Sequence, residues 1–303
     1  MNDSPVPPKV YDPSAYWGAP TRNFRSSSRL HLQHMLWQNT VVLVLDLRIE
    51  NSLRDKKPND LKPIRIADLG CGNGVWLTDL HQNLEDYGMD AELVGYDISD
   101  QNFPPPAFLP DKIELKKLDI LSSTLPGEAV GTFDVVHIRA FASIIINNDT
   151  TSLLRAAMTM LKPGGHIQWD EMSPQYYIEP ASPGLSTAAC QTMVDLVKAG
   201  ADARGVKEGF VRDLYFHLSC AGFEDAKKFR HRKRKQDYKG WTEDFLAVWE
   251  GIAEFLPPRT EGGTGPLTKE SWAELFEKVV WETEQGVAIH RGSLITATGR
   301  KPF

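Results

Sequence analysis

The chain has 303 residues and is 41% hydrophobic, which suits a globular protein with a sizeable buried core. A net charge of −6 and a pI near 5.8 argue against a nucleic-acid partner, and no segment approaches the roughly 20 apolar residues that cross a bilayer. The first residues do not resemble a secretory signal, and the three separated cysteines predict neither disulfides nor a metal site, so we expect a cytoplasmic protein.

The amino-terminal part predicts a covering segment rather than a sheet. Residues 1–20 are rich in Pro, Ser and Asp, a composition typical of a disordered tail. Apolar residues recur at helical spacing from about Ser28 to Leu47, and the polar stretch from Lys56 to Pro63 has the composition of a linker. We therefore expect residues 1–60 to be a tail and a helix over a site, and residues 61–303 to be the main domain.

Strands and helices then alternate along the chain. Short apolar runs predict strands, and apolar residues three and four apart predict helices. The strands are expected at 64–69, 92–96, 113–118, 133–138 and 166–170, and the helices at 75–87 and 151–161. The prolines of Phe103-Pro-Pro-Pro106 argue against a crossover helix between the second and third strands, and Lys162-Pro-Gly-Gly165 is expected to end the second helix. Repeated β-α units predict a parallel, doubly wound α/β sheet.

The carboxy-terminal part is less regular. Further helices are predicted at 185–203 and 206–221, and further strands at 223–230 and 293–299. Between those two strands lie two amphipathic helices rich in aromatic residues, one around Trp241 to Leu256 and one around Trp272 to Val279. They predict either a lid over an apolar substrate or ordinary core. The expected fold is thus a Rossmann-like sheet of seven strands with cap insertions at about 171–205 and 234–290.

The most informative segment is Ile66-Ala-Asp-Leu-Gly-Cys-Gly-Asn-Gly74, between the first predicted strand and helix. Gly70 and Gly72 allow a tight turn and let a ligand approach the backbone near a helix start. A dinucleotide site would need its third glycine one residue later than Gly74. Asp68 would repel a pyrophosphate, whereas S-adenosylmethionine (SAM) carries an ammonium and a sulfonium group. The motif therefore favours SAM.

Two more acids follow predicted strands. Asp97 ends the second strand, where a carboxylate can accept hydrogen bonds from both ribose hydroxyls. Asp119 follows the third, positioned for the adenine amino group with Ile120 against the ring. In open α/β sheets ligands bind at the carboxyl ends of the strands. Each acid alone is as consistent with a turn or helix cap, but the ordered set indicates a nucleoside site.

With these motifs the sequence resembles the class I SAM-dependent methyltransferases over about residues 60–170 and at the final strand. The resemblance implies a seven-stranded methyltransferase fold with SAM as cofactor. A narrower resemblance is to the fungal secondary-metabolism methyltransferases, which include LaeA-type regulators. It rests on Ser28-Arg-Leu-His-Leu-Gln-His34, Asp134-Val-Val-His-Ile-Arg139 and Gln168-Trp-Asp-Glu171. The predicted cofactor-binding residues are Arg29, Asp68, Gly70, Cys71, Gly72, Asn73, Asp97, Ile98, Asp119, Ile120 and His137.

The chemistry of methyl transfer needs alignment of a nucleophile and, for a weakly acidic acceptor, a general base. The candidates for that base are His137, Glu171 and His34, with Asp170 beside Glu171. Each has an ordinary structural alternative, since His137 can be a satisfied strand-end histidine and the acids can cap a turn. Arg29 and Gln33 lie four residues apart, so they can face the methionine carboxylate together or form a plain surface.

The predicted function is methylation of an oxygen or nitrogen of a small, largely apolar metabolite. The alternatives are a LaeA-like SAM-binding regulator and a SAM-binding protein that catalyses another reaction, such as a cyclisation. The fourth strand leads into His137-Ile-Arg-Ala-Phe141 rather than the Asn-Pro-Pro-Tyr of adenine or glutamine methylation. The basic run Lys227 to Lys235 indicates either a nuclear address or a solvated strand edge.

Overall fold

A computed structural model describes residues 22–55, 63–121, 124–259 and 267–303. The predicted disordered tail and residues 56–62 of the predicted linker lie outside these ranges. Among the helices of the described segments, none is both long and apolar enough to span a membrane.

The sheet has seven strands, as the sequence predicts, in the order β3-β2-β1-β4-β5-β9-β7. The first five in this order are parallel, whereas β9 and β7 are antiparallel to their neighbours. The order reverses between β1 and β4, and the carboxyl ends of strands at such a point form a ligand-binding crevice. The strands of the described chain are β1 (Ile64–Leu69), β2 (Ala91–Asp97), β3 (Ile113–Lys117), β4 (Phe133–Arg139), β5 (Leu161–Met172), β6 (Tyr176–Pro180), β7 (Glu224–Arg232), β8 (Val287–Arg291) and β9 (Ser293–Arg300).

Helices flank the sheet and continue into the region beyond it. The helices of the described chain are α1 (Phe24–Val41), α2 (Leu47–Arg54), α3 (Val75–Asp86), α4 (Thr151–Met160), α5 (Ala188–Ala203), α6 (Leu214–Cys220), α7 (Tyr238–Ile252) and α8 (Lys269–Glu284). As predicted, no α-helix connects β2 to β3, and that connection contains only a short 3-10 turn at Pro106–Phe108. One apolar core lies around β4, β5 and α4, and another lies between β1, α2 and α3.

The single helix predicted from Ser28 to Leu47 is wrong, because the chain breaks it after Val41. Val42 has a φ of +67°, a left-handed conformation that is costly for a β-branched residue. Asp46 then begins a new helix, since its carboxylate accepts a hydrogen bond from the backbone N–H of Arg48. Its own N–H donates to the side-chain oxygen of Gln168 on β5, so a tertiary contact fixes the break.

Two further boundaries differ from the prediction. The strand expected at 166–170 begins at Leu161, and Lys162 to Gly165 belong to it rather than to a loop. Gly164 has a φ of +75°, and the pairing with β4 shifts register there, so the glycines form an irregularity within β5. The helix expected at 206–221 divides into a 3-10 segment, Glu208–Asp213, followed by α6.

The sequence did not predict the two-stranded antiparallel sheet of β6 and β8. With α5, α7 and α8 it surrounds a third apolar core. The tryptophans of the aromatic helices, Trp241, Trp249 and Trp272, are at most 2% exposed, so these helices contribute mainly core. The basic run enters β7 at the edge of the large sheet, where most of its side chains are exposed. Lys233 is the exception and is buried.

Candidate active site

A glycine loop joins β1 to α3 at the reversal of strand order. Gly70, Gly72 and Gly74 all have φ between +60° and +76°, the region that favours glycine. A Cβ at Gly70 would lie 2.3 Å from the ring of Phe141, and one at Gly72 would lie 2.9 Å from Leu30 of α1. The loop therefore depends on glycine for both its conformation and its space, and α1 covers it.

A cavity of about 840 Å³ opens at the carboxyl ends of the parallel strands. Its walls include the glycine loop, the ends of β2 and β3, and helices α1 and α7. All of the predicted cofactor-binding residues except His137 line it, namely Arg29, Asp68, Gly70, Cys71, Gly72, Asn73, Asp97, Ile98, Asp119 and Ile120. The structure thus brings together residues from four separate segments of the sequence.

Asp97 is tied to the glycine loop. One carboxylate oxygen accepts a hydrogen bond from the N–H of Gly72 at 3.0 Å, and the other accepts one from Ser99 at 3.0 Å. Burial raises its pKa, although these hydrogen bonds and Arg22, 3.8 Å away, oppose the rise. Asp119 likewise accepts from the N–H of Leu121 at 3.0 Å. Both acids therefore have fixed orientations at the cavity wall.

The structure does not place His137 at the cavity. The ring is fully buried, with Nδ1 2.8 Å from Asp68 and Nε2 3.1 Å from Asp170, and it stacks on Trp76 at 3.6 Å. Burial opposes its protonation, but the two carboxylates outweigh this and raise its pKa. In the protonated form both ring nitrogens donate hydrogen bonds to these carboxylates. The expectation that His137 is a base facing a substrate is therefore corrected. Of its two partners, Asp68 lines the cavity and Asp170 does not.

His34 is also held inside the protein. Arg139 can only donate, so Nδ1 of His34 accepts its hydrogen bond at 3.0 Å and Nε2–H donates to Asp79 at 3.1 Å. Burial and the positive charge of Arg139 lower the pKa of His34 to about 4. The residue does not line the cavity, so it too lacks the position expected of a base.

Glu171 is the one of the three predicted catalytic residues that lines the cavity. Its Oε1 accepts hydrogen bonds from the backbone N–H groups of Phe141 and Ala142, at 2.6 and 2.9 Å, and from the indole of Trp169 at 2.9 Å. Burial raises its pKa to about 8 despite these three donors. A buried carboxyl with such a pKa can accept a proton near neutral pH.

Comparisons with known proteins agree with this geometry. Residues 67–167 match the family model described as a methyltransferase domain. They contain the glycine loop and Asp97, and they end within β5. This stretch is therefore similar to a methyltransferase domain.

Several named proteins resemble the chain. Methyltransferase grgD of a Penicillium species is 29% identical over 163 residues, covering 52% of this chain and 55% of that protein. N-methyltransferase verN of Clonostachys rogersoniana is 34% identical, covering 36% and 37%, and N-methyltransferase tcpN of Claviceps purpurea is 31% identical, covering 50% of each. The chain therefore spans about half or less of the length of these relatives. Phosphoethanolamine N-methyltransferase 2 of Haemonchus contortus, solved with SAM, gives a TM-score of 0.44 at 13% identity, covering 84% and 52%.

The cofactor of the methyltransferase domain is SAM, and the residues present fit it. The cavity approaches the backbone at Gly70 and Gly72, where no Cβ blocks a ligand. Asp68 is only 3% exposed and offers a carboxylate to a cationic group beside that loop. Asp68 and Asp97 thus lie at the cavity wall, where the sequence predicts acids for a cationic methionine and a polar ribose.

Arg29 and Gln33 face the cavity together, as the helical spacing predicts, but they share a partner that sequence analysis missed. Arg29 donates to Asp244 of α7 at 3.2 Å, and the side-chain amide of Gln33 donates to the other oxygen of Asp244 at 3.2 Å. All three line the cavity, and Asp244 is 1% exposed. This buried link joins α1 to α7 as a roof over the cavity. The acid within the aromatic pattern of α7 was its only sequence signal.

Another part of the cavity is an aromatic lobe, of which the sequence indicated only the α7 side. Tyr176 of β6 contacts Phe245 and Trp249 of α7, with ring centroids 5.4 and 6.2 Å apart. Arg291 of β8 and Glu208 complete this wall. The aromatic spacing of α7 indicated a lid, but Tyr176 and Arg291 were missed because β6 and β8 were not predicted.

Proposed function

We propose that this protein transfers the methyl group of SAM to a nitrogen or oxygen atom of a small, largely apolar molecule. The main support is that one cavity runs from the glycine loop, past Glu171, into an aromatic lobe. Two of the relatives are named N-methyltransferases, which favours nitrogen as the acceptor atom.

In this proposal the cofactor lies along the ends of β1, β2 and β3. Asp97 accepts hydrogen bonds from the ribose hydroxyls, and Asp119 accepts one from the adenine amino group with Ile120 against the ring. Asp68 faces the methionine ammonium, and Arg29 attracts the methionine carboxylate from the roof. Charge-assisted hydrogen bonds of this kind are about twice as strong as neutral ones. The cavity positions of these residues support the assignment.

When bound, SAM supplies an electrophilic methyl group and a neutral thioether leaving group. The protein then has to align the acceptor and exclude water, for which the roof of α1 and α7 is suited. If the acceptor nitrogen or oxygen carries a weakly acidic proton, Glu171 accepts it. Its position at the cavity wall and its pKa of about 8 support this role. Because His137 and His34 are engaged by buried partners, we do not assign the proton transfer to them.

The test is incubation of the purified protein with methyl-labelled SAM and a metabolite extract of the organism that makes it. We expect label in a small product that partitions into organic solvent, together with S-adenosylhomocysteine. Fragmentation of that product by mass spectrometry identifies the methylated atom. Asp97→Ala is the negative control, since it should lose the label through loss of cofactor binding. Tight SAM binding with no labelled product from any extract would overturn the proposal.

A further inference from the structure

The aromatic lobe contains one charged cluster built from two adjacent strands. Tyr176 and Arg291 are paired in the β6–β8 sheet, and the Arg291 guanidinium donates to the Tyr176 hydroxyl oxygen at 2.8 Å. The same guanidinium donates to both oxygens of Glu208, one of them at 2.9 Å. All three side chains line the cavity.

An arginine in a substrate cavity usually indicates recognition of a carboxylate or phosphate. Here that role is already taken, because Glu208 holds Arg291 through a bidentate pair. The side chains are 10% and 20% exposed, and their opposite charges cancel within the cavity wall. The guanidinium also lies over the Tyr176 ring, 4.3 Å from its centroid, so its position is fixed. An anionic ligand that entered this lobe would be repelled by the Glu208 carboxylate.

The hydroxyl of Tyr176 remains able to donate a hydrogen bond to a ligand. Its oxygen accepts from Arg291, so its proton is available for another partner, and the described residues show no hydrogen bond that it donates. Burial raises the pKa of Tyr176 although Arg291 opposes the rise, so the hydroxyl keeps its proton near neutral pH. A single neutral donor in an aromatic lobe suits an uncharged oxygen acceptor, because a buried donor without a partner is costly.

We propose that Tyr176, positioned by Arg291 and Glu208, determines specificity by donating a hydrogen bond to a neutral carbonyl oxygen of the methyl acceptor. The lobe thereby excludes anionic acceptors. The proposal deepens the proposed function, on which it rests for the identity of the lobe as the acceptor site. The carbonyl and the methylated atom belong to one molecule, which spans the lobe from Tyr176 towards Glu171.

The test uses three probes of one shape that differ in charge, benzamide, benzoate and benzylamine, with the protein saturated by S-adenosylhomocysteine. Ligand-observed NMR titration gives the dissociation constant of each probe. We expect benzamide to bind most tightly, and Tyr176→Phe to weaken it roughly 3- to 10-fold through loss of one neutral hydrogen bond. Glu208→Gln frees the charge of Arg291 and should strengthen benzoate binding roughly tenfold.

The neighbouring Tyr177→Phe is the matched control, since Tyr177 stacks on His290 and does not line the cavity. Unchanged affinity for S-adenosylhomocysteine shows that each variant is folded. Tyr176→Phe keeps the ring over Arg291, so it remains decisive if Glu208→Gln does not fold. Equal binding of benzamide by the wild type and Tyr176→Phe, no benzamide binding by the wild type, or preference for benzoate or benzylamine would overturn the inference. Failure of methyl transfer with intact probe selectivity would instead count against the proposed function alone.

Discussion

Nδ1 of His137 lies 2.8 Å from Oδ1 of Asp68, so a fully buried imidazole supports a carboxylate that lines the cavity. Asp170 holds the other side of the ring at 3.1 Å and accepts further hydrogen bonds from Thr296 and Gln168. These hydrogen bonds and the charge of His137 lower the pKa of Asp170 against the effect of burial. Asp68, the acid that we propose faces the cofactor, is therefore one end of a charged network that continues across the sheet.

Replacing His137 by Ala should destabilise the fold, because it leaves two carboxylates buried without their shared partner. Loss of one member of a buried ionic group typically costs about 3–5 kcal/mol. Because the pKa of His137 is raised in the folded state, its protonated ring stabilises the fold. This contribution is complete below the unfolded-state pKa of about 6.5, and it is lost as the pH rises through the folded-state pKa. In urea unfolding, the free energy that His137→Ala loses relative to the wild type should therefore be larger at about pH 6 than at about pH 9.

His81→Ala on α3 is the control, since His81 has only a longer contact with Glu85, at 3.6 Å. It should change the free energy of unfolding by about 1 kcal/mol or less, because His81 is half-buried but not held between two carboxylates. If His137→Ala were as stable as the wild type but inactive with a changed pH–rate profile, His137 would be a base and not a positioning residue.

Replacing Asp97 by Ala should weaken SAM binding at least tenfold. The variant removes the proposed ribose contacts and also releases the N–H of Gly72 from its carboxylate partner. Hydrogen bonds to charged groups are worth about 1.5–3 kcal/mol each, so a tenfold loss is a lower bound. Isothermal titration calorimetry measures the affinity.

Asp100→Ala is the matched control for that experiment, because Asp100 is exposed in the same loop and does not line the cavity. Its affinity for SAM should equal that of the wild type. If Asp97→Ala and Asp100→Ala bound SAM with equal affinity, the assignment of the ribose site to the end of β2 would be wrong.

The residues predicted to bind the cofactor come together at one cavity because the signals that marked them are local. Asp68, Asp97 and Asp119 each lie at or just beyond the carboxyl end of a strand with a clear apolar pattern, and parallel strands bring these ends to one edge. The glycines of the loop add a conformational requirement that few other sequences meet. Neighbouring residues in the chain therefore carried enough information to predict that these three acids line one cavity.

The β6 and β8 wall of the aromatic lobe could not be predicted, because its residues meet only through tertiary contacts. β6 and β8 have five residues each and pair across about a hundred intervening residues, so neither shows a pattern of its own. His137 and His34 were expected at the site on the strength of residue type. Their burial depends on Trp76, Arg139 and Asp79, which the sequence does not associate with them.

Replacing Glu171 by Gln should lower the rate of methyl transfer about 10²- to 10⁴-fold if the carboxylate accepts the acceptor's proton. The amide oxygen of Gln keeps an acceptor for the three donors around Oε1, so the fold should persist. Because the pKa of Glu171 is about 8, the wild-type rate should rise with pH as this group loses its proton and level off above it.

Single-turnover rates across this pH range, with SAM affinity measured in parallel, separate catalysis from binding. Glu92→Gln, an exposed glutamate on β2 that pairs with Arg65, serves as the control and should leave the pH–rate profile unchanged. A loss below tenfold that is independent of pH would show that Glu171 only positions the backbone of Phe141 and Ala142.

Replacing Lys233 by Met should stabilise the protein. Lys233 is 2% exposed, and within the described structure its Nζ has no hydrogen-bond partner and lies 3.2 Å from the Trp241 ring centroid. Burial lowers its pKa far below the ordinary value, so folding must expel a proton at every pH between the folded pKa and about 10.5. Methionine avoids this cost, and we expect roughly 1–3 kcal/mol of added stability in guanidinium unfolding near pH 7, shrinking towards about pH 10.

The exposed Lys235→Met should show no such gain. A less stable Lys233→Met would mean that attraction between the ammonium and Trp241 exceeds the cost of burial.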